Sequence, residues 1–96
     1  MRATLYTDFD DFRDNGQAGS ICFIENVEHD VRGFGIKCAG CGHESYLPIV
    51  HPEESVIGPH WFWNQNVESP TLTPSVFHQK GCGWHGYLRN GIWEKC

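Results

Sequence analysis

The residues Cys38-Ala39-Gly40-Cys41-Gly42 place two thiols three positions apart, with a glycine directly behind the second. That spacing puts both sulfurs at the ends of one tight turn, where backbone N–H groups point back at the thiolates and glycine supplies the positive φ. Further along, Cys82-Gly83-Trp84-His85 offers a third thiol and an imidazole. Three thiolates and one imidazole suit a tetrahedral Zn²⁺ ion. The expected ligand set is therefore Cys38, Cys41, Cys82 and His85. A fifth candidate ligand, Cys96, competes for the fourth place, because a hairpin turn at Asn90-Gly91 brings it opposite His85. His43 is expected to point away from the ion or to support a ligand from outside. Cys22 has no partner at metal spacing and reads as a core thiol.

A redox role for Cys38 and Cys41 would need the pair at the start of a helix in a βαβ unit, and nothing after Cys41 has helical periodicity. A catalytic metal needs an open coordination position. Here good ligands outnumber the four places, so a structural ion is the expectation. His51-Pro52-Glu53 imitates half of a zinc deaminase signature, but the Cys-x-x-Cys precedes it and Pro52 breaks the required helix. Ser75 is the residue to weigh as a nucleophile, with His78 or His60 as its base. Against that stands the plain role of a turn hydroxyl after Pro74.

These residues must be held by short elements. Leu5, Phe9 and Phe12 fall at i, i+4 and i+7, and Gly16 stops a short helix across residues 8–16 whose acidic first turn suits the helix dipole. Ser20–Glu25 is a largely apolar strand. Arg32–Lys37 alternates into the first knuckle and Glu44–Val50 leaves it, giving strand, knuckle, strand. His51–Ser55 is a turn. His60–Asn64 is aromatic, as core or as the wall of a groove. Pro70 and Pro74 confine the next stretch to an edge, and Val76-Phe77-His78 leads into the second knuckle. Asn90-Gly91 between two apolar runs marks a two-residue hairpin turn, with Leu88 opposite Trp93.

At 96 residues the chain is one domain, residues 1–96, of mainly β (small α+β) class. Its zinc-ribbon-like antiparallel hairpins carry a short N-terminal helix. Apolar residues at 40% and charged residues at 20% indicate a folded chain rather than a disordered one. A net charge of −5, with seven scattered Lys and Arg, argues against nucleic acid as a partner. No stretch is long and apolar enough for a signal peptide or a membrane span, so the expected location is the cytoplasm. Reduced cysteines there bind metal rather than pair.

Trp61-Phe62-Trp63-Asn64, Pro70-Thr71-Leu72-Thr73-Pro74-Ser75 and Cys82-Gly83-Trp84-His85-Gly86-Tyr87-Leu88-Arg89-Asn90-Gly91 together resemble a known family. It comprises small phage- and prophage-associated zinc-binding proteins of unknown function, many labelled "ammonia monooxygenase". The resemblance covers about residues 38–96. Gln65 stands where the family usually has glycine. Some relatives lie beside bacterial ubiquitin-like conjugation genes and are suggested to be peptidases. Carried over by position, that implies roles for Ser75 and His85 beside the Cys38/Cys41 pair. A true monooxygenase is excluded by the lack of a copper or di-iron ligand set. The expectation is an accessory protein of phage or prophage origin with structural zinc, whose partner is another protein. The alternative is a small peptidase acting on a protein tail through Ser75 or a zinc-bound water.

Overall fold

The computed structural model describes all residues except 52, 53, 55 and 56. The turn expected at 51–55 and the His51-Pro52-Glu53 resemblance therefore fall largely outside the described residues. Strand β1 (Thr4–Tyr6) leads into helix α1 (Phe9–Asn15). Strands β2 (Ser20–Glu25), β3 (Val31–Lys37) and β4 (Glu44–Pro48) follow. Three two-residue strands come next, β5 (Phe62–Trp63), β6 (Leu72–Thr73) and β7 (Val76–Phe77), and then the hairpin of β8 (His85–Arg89) with β9 (Ile92–Lys95). The chain is mainly β with a single short helix among the described residues, as the composition implied.

The Asp8 carboxylate caps α1 by accepting the Asp10 N–H at 3.0 Å. At the other end the Gly16 N–H closes the last turn on the Phe12 carbonyl at 2.9 Å. Phe12 is wholly buried against the outer face of β3. A Cβ on Gly35 would lie 2.9 Å from the Phe12 ring, so glycine there is what lets the helix settle on the sheet.

Three sheets form, in the orders β1-β2-β3-β4, β5-β6 and β7-β8-β9. Among the described residues all strand pairings are antiparallel except β1 with β2, and the isolated bridge between Ile49 and Trp61 is parallel as well. The first and third sheets join at one side. Arg2 bridges Ile92, the Ala3 N–H donates to the Gly91 carbonyl at 2.8 Å, and the Trp93 N–H donates to the Met1 carbonyl at 2.7 Å. The result is a sheet curled on itself, β4-β3-β2-β1-β9-β8-β7, with a seam between β4 and β7. Ile21, Phe34, Ile36, Leu47, Leu88 and Trp93 fill its interior. Burying a side chain of this size contributes about 1.5–3 kcal/mol each.

The Asn90-Gly91 turn has φ of 51° and 76°, the two positive values that a type I′ hairpin requires. It sets Leu88 opposite Trp93 and Arg89 opposite Ile92, as the register predicted. Gln65 also has a positive φ, 64°, a conformation that glycine adopts without strain. Cys22 is a core thiol, and burial raises its pKa. No helix among the described residues is long and apolar enough to cross a membrane.

Candidate functional site: a thiol–imidazole cluster beside a serine–histidine pair

The first knuckle is the turn between β3 and β4. The Cys38 N–H donates to the His43 carbonyl at 2.8 Å, the Gly42 N–H donates to the Cys38 carbonyl at 2.8 Å, and Gly42 has φ of 78°. The second knuckle is the turn between β7 and β8. There the Gly81 and Gly83 N–H groups both donate to the His78 carbonyl, and Gly83 also has φ of 78°. Because β3-β4 and β7-β8 end at the same height of the curled sheet, the two turns meet across the seam. Gly40 allows the approach: a Cβ there would lie 2.8 Å from Trp84 Cβ and 3.0 Å from Cys82 Sγ.

Four donor atoms converge, from Cys38, Cys41, His78 and Cys82, all within 4.8 Å of one another. Cys38 Sγ lies 3.5 Å from Cys82 Sγ, and His78 Nδ1 lies 3.5 Å from Cys41 Sγ and 3.6 Å from Cys82 Sγ. A tetrahedral ion with Zn–S and Zn–N bonds of ordinary length requires edges of about 3.8 Å between sulfurs and about 3.5 Å between sulfur and nitrogen. The donor set therefore fits a tetrahedral metal ion. The thiols also differ in character. The Trp84 backbone N–H, then the His78 imidazole and the neighbouring sulfurs, hold the Cys82 thiol down to about 7 against partial desolvation. Burial raises Cys38, partly offset by the N–H groups of Cys41 and Gly40.

The fourth donor is thus His78, where the sequence favoured His85. The reason lies in the turn. His78 directly follows β7 and faces back over the knuckle, while His85 opens β8 beyond it and is turned to another face. Cys96, the rival candidate, is exposed and outside the cluster. The hairpin does bring it opposite His85, through a Cys96 N–H to His85 carbonyl bond of 2.9 Å. His43 stacks on His78, with centroids 5.3 Å apart and planes at 17°, which steadies the donor ring. The spacing His78-x-x-x-Cys82 is the one sequence signal that could have pointed to this ligand, and it was passed over for Cys82-x-x-His85.

Gly81 has no room for a side chain. A Cβ there would run into the His78 imidazole, 2.6 Å from Nδ1 and closer still to two other ring atoms. Gly81→Ala is expected to displace His78 and weaken metal binding at least about tenfold, since one of four ligands is lost or strained. Competition titration against a chromogenic chelator measures it.

His85 instead meets Ser75. Their Oγ and Nε2 atoms are 2.7 Å apart, and both residues are half-buried. Ser75 directly precedes β7 and follows a cis Thr73–Pro74 peptide bond. Residues alternate along a strand, so Ser75 and Phe77 share a face, and Phe77 pairs with His85 across β7-β8. The Phe77 ring lies against the His85 ring at 4.9 Å, with planes tilted by 32°. Among the described residues Ser75 is the one hydrogen-bond partner of that imidazole. The Trp61 indole N–H donates to the Ser75 carbonyl at 3.2 Å and fixes the backbone from the far side of the seam. Of the bases proposed for Ser75, then, His85 is in reach, whereas His78 is placed with the sulfurs and the His60 ring bonds the Gly58 carbonyl.

Next to these groups lies a cleft of about 70 Å³. Ile36, Ser45 and Leu47 line it from one side of the seam, Val76 from the other, and Trp61 and Trp84 complete the walls. The aromatic run at 60–64 therefore serves both as core and as wall.

Fold and site together define a small β domain in which a Cys₃His donor cluster stands beside a serine–histidine pair. The chain belongs to the family described as bacterial ubiquitination-like system serine protease (BubE), whose model matches residues 8–96. No match is found among curated proteins or solved structures. The family description agrees with the peptidase side of the resemblance read from the sequence; phage or prophage origin forms no part of it.

Proposed function

We propose that the protein is a serine peptidase of a bacterial ubiquitination-like system, cleaving a peptide or isopeptide bond at a protein tail. Ser75 is the nucleophile and His85 its base. The observation that carries the reading is the 2.7 Å approach of Ser75 Oγ to His85 Nε2 in a chain of this family. The expectation of an accessory protein without catalysis rested on a closed ligand set that included His85, on the acidic charge and on the surplus of aromatics. With His78 in that place, His85 is available to the serine.

The chemistry follows from the pair. With its proton on Nδ1, the His85 ring accepts the Ser75 hydroxyl proton at Nε2 as Oγ bonds the substrate carbonyl carbon. The resulting imidazolium then protonates the leaving amine as the C–N bond breaks, leaving an ester on Ser75. A water molecule gives a proton to Nε2, attacks the ester carbon and releases the acid, and the proton returns to Ser75 Oγ. Packing on Phe77 orients the imidazole, the role a carboxylate fills in a full triad.

Cys38, Cys41, His78 and Cys82 would hold Zn²⁺. Four protein donors make a closed set, which serves structure rather than activation of water. The ion would clamp the β3-β4 and β7-β8 turns together and so hold β7, with Ser75 at its start, against β4.

The test is covalent. A fluorophosphonate reacts with a serine only when a base activates it. Zinc-loaded protein is expected to take one adduct, mapped by peptide mass spectrometry to Ser75. A protein that takes none, or takes it on another serine, contradicts the assignment.

A further inference from the structure

The curled sheet is open along one line only among the described pairings, between β4 and β7. We infer that this seam is the substrate channel, and that an extended segment of the substrate polypeptide docks there as an inserted strand, bonded to both edges. The inference rests on the peptidase reading and names how that site takes its substrate.

The ladder alternation says which backbone groups face the seam. In an antiparallel pair, every second residue bonds its partner and the residues between point their N–H and C=O groups the other way. On β4, the Cys38 N–H bonds the His43 carbonyl and the Ile49 N–H bonds the Arg32 carbonyl. The residues bonded to β3 are therefore 43, 45, 47 and 49. Glu44, Tyr46 and Pro48 turn their backbone groups outward. The Pro48 carbonyl confirms the direction, since it accepts the Trp61 N–H at 2.9 Å. On β7, the His78 N–H bonds the Trp84 carbonyl, so residues 76 and 78 face β8 while 75 and 77 face outward. The Ser75 carbonyl again confirms it by accepting the Trp61 indole N–H across the seam.

Two strand edges thus present main-chain groups to the same gap, Glu44 and Tyr46 on one side and Phe77 on the other. The gap has defined ends. Tracing the pairings around the sheet shows that β4 and β7 run in opposite directions. The end of β4, Trp61 and Ser75 lie at one end of the gap, and the two knuckles cross the other. Between them there is length for about four extended residues at about 3.3 Å each. Unpaired edges of this kind recruit extended peptides by main-chain hydrogen bonds, with pockets for alternate side chains. The pocket here is the 70 Å³ cleft lined by Ser45, Leu47 and Val76 on the inner face, which admits a small apolar side chain. A peptide in the seam brings a backbone carbonyl to the start of β7, where Ser75 sits. The occupant is thus a flexible, extended segment of another protein, read by its backbone, with a small residue pointing inward.

Backbone N-methylation of the substrate tests this without altering the enzyme. Zinc-loaded protein is incubated with a mixture of blocked random tetradecapeptides, and the best-cleaved peptide is resynthesised with single N-methyl groups at each position. A strand bonded on both sides uses successive N–H groups alternately to left and right. At least two consecutive positions on one side of the cleaved bond are therefore expected to lower kcat/KM about fivefold to tenfold each, the loss of one hydrogen bond. Sensitivity at alternate positions only, or at none, overturns insertion between two edges. A protein that takes the fluorophosphonate on Ser75 but cleaves no peptide of the mixture also overturns it, because main-chain docking tolerates sequence. Absence of the adduct itself instead removes the peptidase reading and this inference with it.

Discussion

Ser75→Ala leaves the protein folded and metal-loaded but lowers kcat for peptide hydrolysis about 10⁴-fold or more. The size follows from the proposed role: the hydroxyl oxygen forms the bond that is later hydrolysed, and no neighbouring group replaces it. The substitution removes one half-buried oxygen whose side-chain partner among the described residues is the His85 ring. Its cost in stability is within about 1.5 kcal/mol, the net worth of one hydrogen bond. His85→Ala is expected to cost nearly as much activity. The double variant should be no worse than either single one, because the two groups act as a unit. Steady-state kinetics with a cleaved peptide, beside circular dichroism of each variant, measures both effects. A Ser75→Ala protein with more than a tenth of normal turnover would end the assignment.

Metal removal carries the second large effect, on stability rather than on chemistry. The donors come from two turns far apart in sequence, and Gly40 sets the turns close enough that Cys38 Sγ lies 3.5 Å from Cys82 Sγ. A structural zinc site supplies about 10–16 kcal/mol in small metal-dependent domains. A domain of this size has a total stability of about 5–15 kcal/mol. Losing the ion therefore removes most of it. Cys38→Ser, or treatment with a strong chelator, is expected to lower the melting temperature by more than about 20 °C, or to leave no cooperative transition. Activity should disappear with it, since the clamp on β7 is gone. Acidification acts in the same direction: binding requires thiolates, so protonation of Cys82 through about 7 weakens the site as pH falls. Thermal melts with and without chelator, across pH, test this. A melting temperature indifferent to chelation would contradict a structural ion.

Much of this architecture was legible in the residues. Cys38-x-x-Cys41-Gly42 specified a knuckle because glycine at φ of 78° is a local requirement. Asn90-Gly91 specified its hairpin and register for the same kind of reason. Helix α1 followed from Asp8, the Leu5-Phe9-Phe12 stripe and Gly16. The identity of the fourth donor was not legible in the same way. His78 and His85 flank one tight turn and both stand three or four residues from Cys82. Which of them faces the sulfurs depends on the strand to which each belongs and on the face that alternation gives it. Nor was the seam legible, since it arises from the bonding of residues 1–3 to β9 at the opposite side of the sheet. That closure leaves β4 and β7 as the two remaining edges, and no local pattern in either strand records it. Ser75 looked like a turn hydroxyl because its partner, ten residues on, becomes a neighbour only once β7 pairs with β8.

The two histidines divide the labour, His78 to the metal cluster and His85 to the serine. Native mass spectrometry of fluorophosphonate-treated His85→Ala protein reads both halves in one spectrum. The predicted species is a chain carrying one zinc ion and no serine adduct, where the unaltered protein carries one of each. A His85→Ala chain that has lost its zinc, or one that still takes the adduct on Ser75, would contradict the account.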